Sequence, residues 1–390
     1  MSFNFDTLIE RRNTDSAKWG WYDPDVLPLF VADMDFRSPE PVIRALRERV
    51  EHGVFGYAGQ ATQLIDLICE RLWTRYRWEV KPEHILFLPG LVSALNVVAR
   101  AIGQPGDGVL VTTPIYHPFL HAIQRQERAA HIAPMRYRTA DSTASYELDF
   151  DAIEAAITPH TRLFMFCNPH NPVGRVYQPS ELERLADVAL RHNLIISSDE
   201  IHCDILYDGN RHLPIASLAP EIAERCITLM APSKTFNLPG LGLGFAIVSN
   251  PELRQQLQRV AEGITGHYNV MGLTAAVAAY REGQRWLDEL LAYLTANRDY
   301  LMAFVSASLP SVRMTRMEGT YLAWLDCREA GIPGVPAEFF LKEARVGLTD
   351  GAMFGPGGEG FVRICIGSPR AMLTEALERM RGALERLSQG

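Results

Sequence analysis

The feature that most constrains the fold of this sequence is a repeated order of short apolar runs and amphipathic stretches. The apolar runs lie at residues 85–88, 109–111, 162–167, 194–197 and 227–230. Because a half-exposed strand alternates polar and apolar residues, continuous apolar runs indicate strands that are buried on both faces. The pattern therefore predicts an α/β fold with a large, mostly parallel sheet covered by helices on both sides.

The pattern changes after Gly283. A long helix is predicted over 286–309, and strand-like segments at 321–325 and 361–366 alternate with helices near 337–344 and 370–387. These elements indicate a second, smaller α/β layer, against which we expect the N-terminal arm to pack. The predicted domains are 1–50 as the arm and part of the small domain, 51–285 as the large domain, and 286–390 as the C-terminal small domain.

Several helix boundaries are also readable from the sequence. Amphipathic helices are predicted near 38–50, 61–76 and 92–102. A capping box formed by Ser180 and Glu183 predicts the start of a further helix, which runs to about His192.

Composition excludes several classes of partner. The net charge of −8 argues against nucleic acid or an anionic membrane surface as the main partner. No apolar run approaches the roughly 20 residues that a membrane span needs. The N-terminus from Met1 shows no secretory signal, and the six cysteines are scattered without metal-binding spacing. We therefore expect a cytoplasmic protein without a metal site.

Polar and glycine residues follow five of the predicted strands. They are Gly90, Tyr116, Asn171, Asp199 and Lys234. Each has an ordinary structural interpretation, as a turn residue, a helix cap or a loop charge. The carboxyl ends of parallel strands meet at one edge of a sheet, where ligands bind. We therefore expect these five side chains to surround a common site.

Lys234 lies in a loop bounded by proline and glycine between two core strands. Lysine occurs only four times in this chain, while arginine supplies the other basic residues. A lysine can lose its proton when it is desolvated and can form a Schiff base, which a guanidinium cannot do. A surface-loop lysine remains the alternative for this residue taken alone.

The whole set matches one cofactor chemistry, that of pyridoxal 5′-phosphate (PLP). A buried carboxylate such as Asp199 stabilises a protonated pyridine nitrogen, which then withdraws electrons. The turn at Gly90, Leu91 and Val92 begins a helix, whose free backbone N–H groups suit a phosphate. Tyr116 can stack on a ring.

Longer motifs extend this match into a family resemblance. The stretches are VADMDF (31–36), FGY (55–57), FLPG (87–90), TPIYHPF (113–119), CNPHNPVGR (167–175), SDEIHCD (198–204) and APSKTFNLPGL (231–241). With them the sequence resembles the fold-type I PLP-dependent enzymes of the class I/II aminotransferase superfamily. More narrowly, it resembles their MalY/PatB-like branch of cystathionine β-lyases, which are C–S lyases. The resemblance covers nearly the whole chain.

The resemblance implies a role for each candidate residue. Lys234 would be the Schiff-base lysine and the catalytic residue. The other cofactor-binding residues would be Asp199 at the ring nitrogen, Asn171 at the ring oxygen, Tyr116 on the ring face, His202, Ser233 at the phosphate, and Gly90, Leu91 and Val92. Arg363 would bind the substrate α-carboxylate. Tyr57 would reach the phosphate in the neighbouring subunit of a homodimer.

Two positions depart from the aspartate aminotransferase pattern. His202 stands where those enzymes have a tyrosine, and Gly242 stands where they have a phosphate-binding arginine. Both changes resemble the lyase branch. The expected function is therefore β-elimination of cystathionine or related cysteine S-conjugates to thiol, pyruvate and ammonia.

Transamination of an amino acid on the same residues is the first alternative, and a non-catalytic regulator with this fold is the second. A Rossmann dehydrogenase is disfavoured because no G-x-G-x-x-G follows the early strands.

Overall fold

A computed structural model describes residues 3–140 and 142–389 of the chain. Met1, Ser2 and Gly390, at the ends of the predicted N-terminal and C-terminal domains, lie outside the described residues. The strands in chain order are β1 Leu27–Pro28, β2 Ile85–Leu88, β3 Gly108–Thr113, β4 Ala129–Pro134, β5 Arg136–Ala140, β6 Thr143–Glu147, β7 Thr161–Cys167, β8 Ile195–Asp199, β9 Cys226–Met230, β10 Gly244–Ile247, β11 Arg313–Thr315, β12 Leu322–Asp326, β13 Val346–Gly347, β14 Thr349–Asp350 and β15 Phe361–Cys365.

The helices connect these strands. They are α1 Glu40–His52, α2 Thr62–Tyr76, α3 Leu91–Ala101, α4 His117–Arg125, α5 Phe150–Ala156, α6 Pro179–Arg191, α7 Pro220–Ala223, α8 Pro232–Thr235, α9 Pro251–Ile264, α10 Val270–Glu282, α11 Gln284–Ser308, α12 Pro336–Phe339 and α13 Arg370–Gln389. A π-helical turn, Phe340–Ala344, continues α12. In the part of the chain that is described, no helix is both long and apolar enough to span a membrane.

The large sheet has seven strands in the order β2-β10-β9-β8-β7-β3-β4. Strand β10 runs antiparallel to both of its neighbours, and the remaining pairs are parallel. The carboxyl ends of β2, β3, β7, β8 and β9 therefore lie at the same edge. Helices α3, α4 and α9 bury apolar side chains on one face, and α2, α5, α6 and α10 on the other. The predicted sheet with two covered faces is confirmed.

The second sheet has six strands in the order β14-β15-β12-β11-β6-β5. Its C-terminal strands and the long helix α11 agree with the predicted smaller α/β layer. The hairpin β5–β6 joins this sheet through β6, which pairs with β11 in parallel. Residues 136–147 thus contribute to the second sheet although they lie far from its other strands in sequence.

The N-terminal arm packs on the second layer. Strand β1 pairs in parallel with β13. Phe5 is buried against Phe36 and Trp286, with ring centroids 5.1 and 5.8 Å apart. The arm therefore delivers residues 30–36 to the region between the two sheets.

One predicted helix start is wrong. Helix α6 begins at Pro179, so that Ser180 is already inside it. The backbone N–H of Gln178 donates to Glu181 Oε2 at 2.8 Å. The capping contact thus lies two residues earlier than predicted, because Pro179 suits the first helical position, where no N–H is needed.

Candidate active site

The carboxyl edge of the large sheet borders a cavity of about 230 Å³. Its lining includes nine of the predicted site residues: Gly90, Leu91, Val92, Tyr116, Asn171, Asp199, His202, Ser233 and Lys234. Strand direction brings these residues together from five separate stretches of the chain. Arg363 borders an adjoining cavity, and Tyr57 borders neither.

Lys234 reaches this cavity from the short helix α8, which directly follows β9. Pro232 begins that helix. The Lys234 ammonium donates to the carbonyl oxygen of Ala32 at 2.6 Å. Burial lowers the pKa of Lys234 to about 8, and the positive charge of Arg363 acts in the same direction. About half of this amine is therefore neutral near pH 8, where an exposed lysine is almost wholly protonated.

Asp199 is the last residue of β8 and is only 4% exposed. Its Oδ1 accepts a hydrogen bond from the backbone N–H of Ile201 at 3.1 Å. Burial raises the pKa of this carboxyl to about 7. A buried carboxylate that accepts only one backbone hydrogen bond destabilises the fold unless a cation binds to it. Asp199 therefore fits a group that presents a cationic N–H from the cavity.

His202 lies beside this pair and is buried. Its ring meets Tyr321 edge-on, at 5.6 Å between centroids. Burial lowers the pKa of His202 well below its usual range, and Lys234 and Arg363 act in the same direction. The imidazole is therefore neutral, and its buried Nδ1 has no partner among the described residues.

The N-terminus of α3 forms another wall of the cavity. Gly90 precedes the helix with φ of +131°, a conformation that L side chains rarely adopt. The first backbone N–H groups of the helix, at Leu91 and Val92, suit an anion. Ser233 and Gly242 also line the cavity. Gly242 has φ of +56°, so that an arginine at this position would be strained.

Arg363 and Asn171 join the two sheets at the site. Arg363 lies on β15 and is 3% exposed. Its Nη1 donates to Asn171 Oδ1 at 3.1 Å, and its Nη2 donates to the carbonyl oxygen of Phe30 at 2.9 Å. Its Nε is buried without a partner among the described residues. The guanidinium is thus held in place while its Nε remains available to a ligand.

The sequence predictions missed the arm residues that hold these groups. Ala32 accepts from Lys234, and it also accepts from the Tyr321 hydroxyl at 3.0 Å. Three positions further, Asp35 binds the fully buried Lys18 at 2.6 Å. Lys18 is one of four lysines in the chain, and that rarity was the available signal. The backbone contacts of Ala32 leave no signal in sequence.

A second missed network supports α8 from below. Thr235 Oγ1 donates to Asp204 Oδ2 at 2.9 Å. Asp204 also pairs with Arg71 and Arg75 of α2, at 2.8 and 3.1 Å. These cations hold the pKa of Asp204 below its usual value despite burial. The residue next to Lys234 is therefore fixed by a satisfied buried carboxylate.

Tyr57 lies apart from the cavity in the single chain. Its side chain is 89% exposed, and its ring contacts His267 at 5.2 Å between centroids. Val54 and Phe55 in the same loop are also more than half exposed. The predicted role of Tyr57 at a neighbouring subunit stays a prediction.

Comparison with known proteins identifies the family of this chain. A family model for aminotransferases of class I and II matches residues 24–380. The chain belongs to this family. Cystathionine beta-lyase PatB from Bacillus subtilis (strain 168) is 39% identical over 98% of this chain and 100% of its own length. The resemblance inferred from the motifs is confirmed.

Solved structures agree with this assignment. The crystal structure of OvoB is 42% identical, with a TM-score of 0.92 over 98% of this chain and 99% of that one. Cystalysin from Treponema denticola, which contains a pyridoxal 5′-phosphate cofactor, is 32% identical. Its TM-score is 0.94 over 99% of this chain and 100% of its own. The predicted fold type I is therefore confirmed.

Proposed function

We propose that this chain is a PLP-dependent carbon–sulfur lyase, which cleaves cystathionine or related cysteine S-conjugates to thiol, pyruvate and ammonia. The observation that carries the proposal is the convergence of Lys234, Asp199 and Arg363 on adjoining cavities, in a chain similar to PatB over its full length. The relatives support elimination above transamination. The departures at His202 and Gly242 support the same choice.

The residues present fit PLP. When bound, this cofactor supplies an aldehyde that condenses with amines and a ring that withdraws electrons from the substrate Cα. Asp199 would hold the ring nitrogen, because its buried carboxylate needs a cation. Asn171 would donate its amide nitrogen to the ring oxygen, since its oxygen already accepts from Arg363. Tyr116 would lie on the ring face.

The phosphate would bind at the start of α3. Backbone N–H groups of Leu91 and Val92, the Ser233 hydroxyl and the helix dipole would supply the donors. No arginine lines this cavity among the described residues, and Gly242 replaces the one in aspartate aminotransferases. We therefore propose that phosphate binding depends on neutral donors and on Tyr57 of a second subunit.

The chain's own residues would then carry the proton and orient the substrate. Arg363 binds the α-carboxylate of the amino acid, using the Nε that lacks a protein partner among the described residues. Lys234, whose pKa burial lowers to about 8, accepts the Cα proton at Nζ in its neutral form. As that proton leaves, the Cα–H electron pair forms a Cα=Cβ double bond, and the Cβ–S bond breaks with its electron pair on sulfur, which takes up a proton to become the thiol. Water then hydrolyses the released enamine to pyruvate and ammonia. Ala32, through its carbonyl oxygen, holds the Lys234 nitrogen at the mouth of the cavity.

We also propose that the active unit is a homodimer and that it works in the cytoplasm. The exposed apolar loop with Val54, Phe55 and Tyr57 supports the dimer, since exposed apolar clusters are typical of contact surfaces. The scattered, unpaired cysteines support a reducing compartment.

The test uses the purified chain loaded with PLP and mixed with L-cystathionine, without any keto acid. We expect free thiol and pyruvate to form together. In Lys234→Ala their rate should fall by about a hundred- to ten-thousandfold, while the exposed Lys342→Ala stays active. Conversion of the cofactor to its amine form without release of thiol would instead support transamination. A purified chain without visible-range cofactor absorbance would support the regulator.

A further inference from the structure

A second cavity of about 500 Å³ adjoins the first and shares Ala32, Tyr116 and Lys234 with it. Arg363 also borders this space. If the α-carboxylate of a substrate binds Arg363 and its Cα lies near Lys234, the group on sulfur must extend into this cavity. The lining of the cavity therefore bears on which S-conjugates the chain accepts.

Aromatic and apolar side chains form most of the lining. Trp21, Tyr22 and Phe30 come from the arm, and Met353 comes from the turn after β14. Tyr22 meets the Phe30 ring edge-on at 5.2 Å. The Tyr22 ring also covers Gly347 so closely that a Cβ there would come within 2.5 Å of it. These contacts fix the wall beside the catalytic residues.

Apart from Lys234 and Arg363, the charged side chains of the lining are acidic. Glu338 and Asp350 line the cavity, and Glu338 is exposed to solvent from the first turn of α12. Among the described lining residues, Lys234 and Arg363 are the only lysine and arginine, and the proposed mechanism already uses both. His117 also lines the space, but burial lowers its pKa to about 4 and leaves it neutral.

We propose that this cavity selects cysteine S-conjugates whose sulfur substituent is apolar along its length and positively charged at its end. The aromatic walls cover the apolar part, and Glu338 and Asp350 face the cation. A substituent whose end carries only a carboxylate meets two like charges and no free cation among the described lining residues, so that it is disfavoured. The far end of cystathionine carries an ammonium beside its carboxylate and so still presents a cation to the two acids. This inference rests on the proposed lyase function and adds the substrate class.

The test compares three conjugates of similar length, which are S-(2-aminoethyl)-L-cysteine, S-propyl-L-cysteine and S-(2-carboxyethyl)-L-cysteine. Pyruvate formation by the PLP-loaded enzyme gives kcat/KM for each. We expect the aminoethyl conjugate to exceed the carboxyethyl conjugate by about tenfold or more, with the propyl conjugate between them. Equal values for the three would overturn the inference.

Variants link any preference to the two acids. Glu338→Gln and Asp350→Asn keep size, and the amide introduced by the second change retains an oxygen for the backbone N–H of Ala352. In the double variant we expect the ratio of cationic to anionic conjugate to fall to about threefold or less, with the S-propyl value nearly unchanged. Glu183→Gln, on the surface of α6, is the matched control and should leave the ratio intact. A ratio that survives in the double variant would also overturn the inference.

The two proposals fail in different ways. Pyruvate from S-propyl-L-cysteine without a charge preference contradicts only the substrate class. An absence of pyruvate from all three conjugates contradicts the lyase function. In that case the charge preference is measured by calorimetry, as the Kd of each conjugate for the PLP-loaded protein. We expect the aminoethyl conjugate to bind most tightly and the carboxyethyl conjugate most weakly.

Discussion

At the scale of single residues, the site holds two ionisable groups whose pKa values burial moves toward neutrality. The pKa of Lys234 falls to about 8, and that of Asp199 rises to about 7. Both shifts arise because the charged form loses water inside the protein. The lysine gains a neutral amine that can accept a proton. The aspartate becomes a group whose charge is costly until a cation binds it.

The first prediction concerns the stability of the cofactor-free protein. The folded pKa of Asp199 lies above its ordinary value of 3.8, so that ionisation opposes folding. The free energy of unfolding that the protonated Asp199 allows below about pH 4 is therefore reduced as pH rises toward 7 and the carboxyl ionises. Asp199→Asn removes this loss and should increase the free energy of unfolding at pH 8 by roughly 2–4 kcal/mol. Urea denaturation at fixed protein concentration, at about pH 4 and pH 8, measures the effect.

Asp204 provides a matched control of opposite sign. Its folded pKa is lowered by Arg71 and Arg75, so that its stabilising effect is present above its ordinary pKa and is lost on acidification. Asp204→Asn should therefore destabilise the protein at about pH 8. If both variants lower the free energy of unfolding equally, the conclusion that ionised Asp199 opposes folding is contradicted.

At the scale of elements, the arm segment 30–36 links the two sheets through the site. The carbonyl oxygen of Phe30 accepts a hydrogen bond from Arg363, and that of Ala32 accepts one from Lys234. Asn237, which follows closely after Lys234, donates to the carbonyl oxygens of residues 34 and 36 at 2.9 Å each. The segment is thus held by hydrogen bonds to its backbone carbonyl oxygens and by the ion pair of its own Asp35 side chain.

The second prediction tests the anchor of this segment. Lys18→Met leaves the buried Asp35 without its cation at 2.6 Å, although Arg11 and Trp19 still contact that carboxylate. We expect a loss of about 3 kcal/mol in the free energy of unfolding, together with a raised KM, because the arm loosens at the site. Lys342→Met, at an 84% exposed lysine, should change stability by less than about 0.5 kcal/mol. A stable Lys18→Met with normal KM would contradict this role.

Elements also show what the sequence could and could not predict. The residues at strand ends were predictable, because parallel strands that are buried on both faces must end at one edge of the sheet. The hairpin β5–β6 was not, since charged residues such as Arg136 and Arg138 interrupt its apolar pattern and its partner β11 lies far along the chain. Helices α9 and α10 were missed as well. The contacts of Ala32 are made by its backbone, which no residue type reveals.

At the scale of the whole molecule, the site uses parts of both sheets and the arm. Asp199 comes from the large sheet, Lys234 from the helix α8 that follows its strand β9, Arg363 from the second sheet and Ala32 from the arm. The relative position of these parts therefore sets the geometry of catalysis. The proposed dimer adds a fourth part, the exposed loop with Tyr57.

The third prediction concerns this dimer. The chain should have a solution mass of about twice 43.7 kDa by light scattering. If Tyr57 serves the neighbouring site, Lys234→Ala and Tyr57→Ala should each be weakly active alone. In a mixed dimer, however, the Tyr57→Ala subunit keeps its own Lys234 and receives an intact Tyr57 from its partner, so that one of the two sites is complete. Refolding the two together should restore about a quarter of wild-type activity. A monomer, or mixed dimers with no recovery, would contradict the shared site.

The most direct test of the proposed lyase function counts turnovers with L-cystathionine and no keto acid. A lyase regenerates its cofactor form in every cycle, so that each subunit should release many molecules of pyruvate, with thiol and ammonia in equal amounts. A transaminase without an acceptor stops after about one turnover per subunit, because its cofactor stays in the amine form. We expect continued, equimolar release that depends on Lys234. A single turnover per subunit without release of thiol would contradict the lyase function.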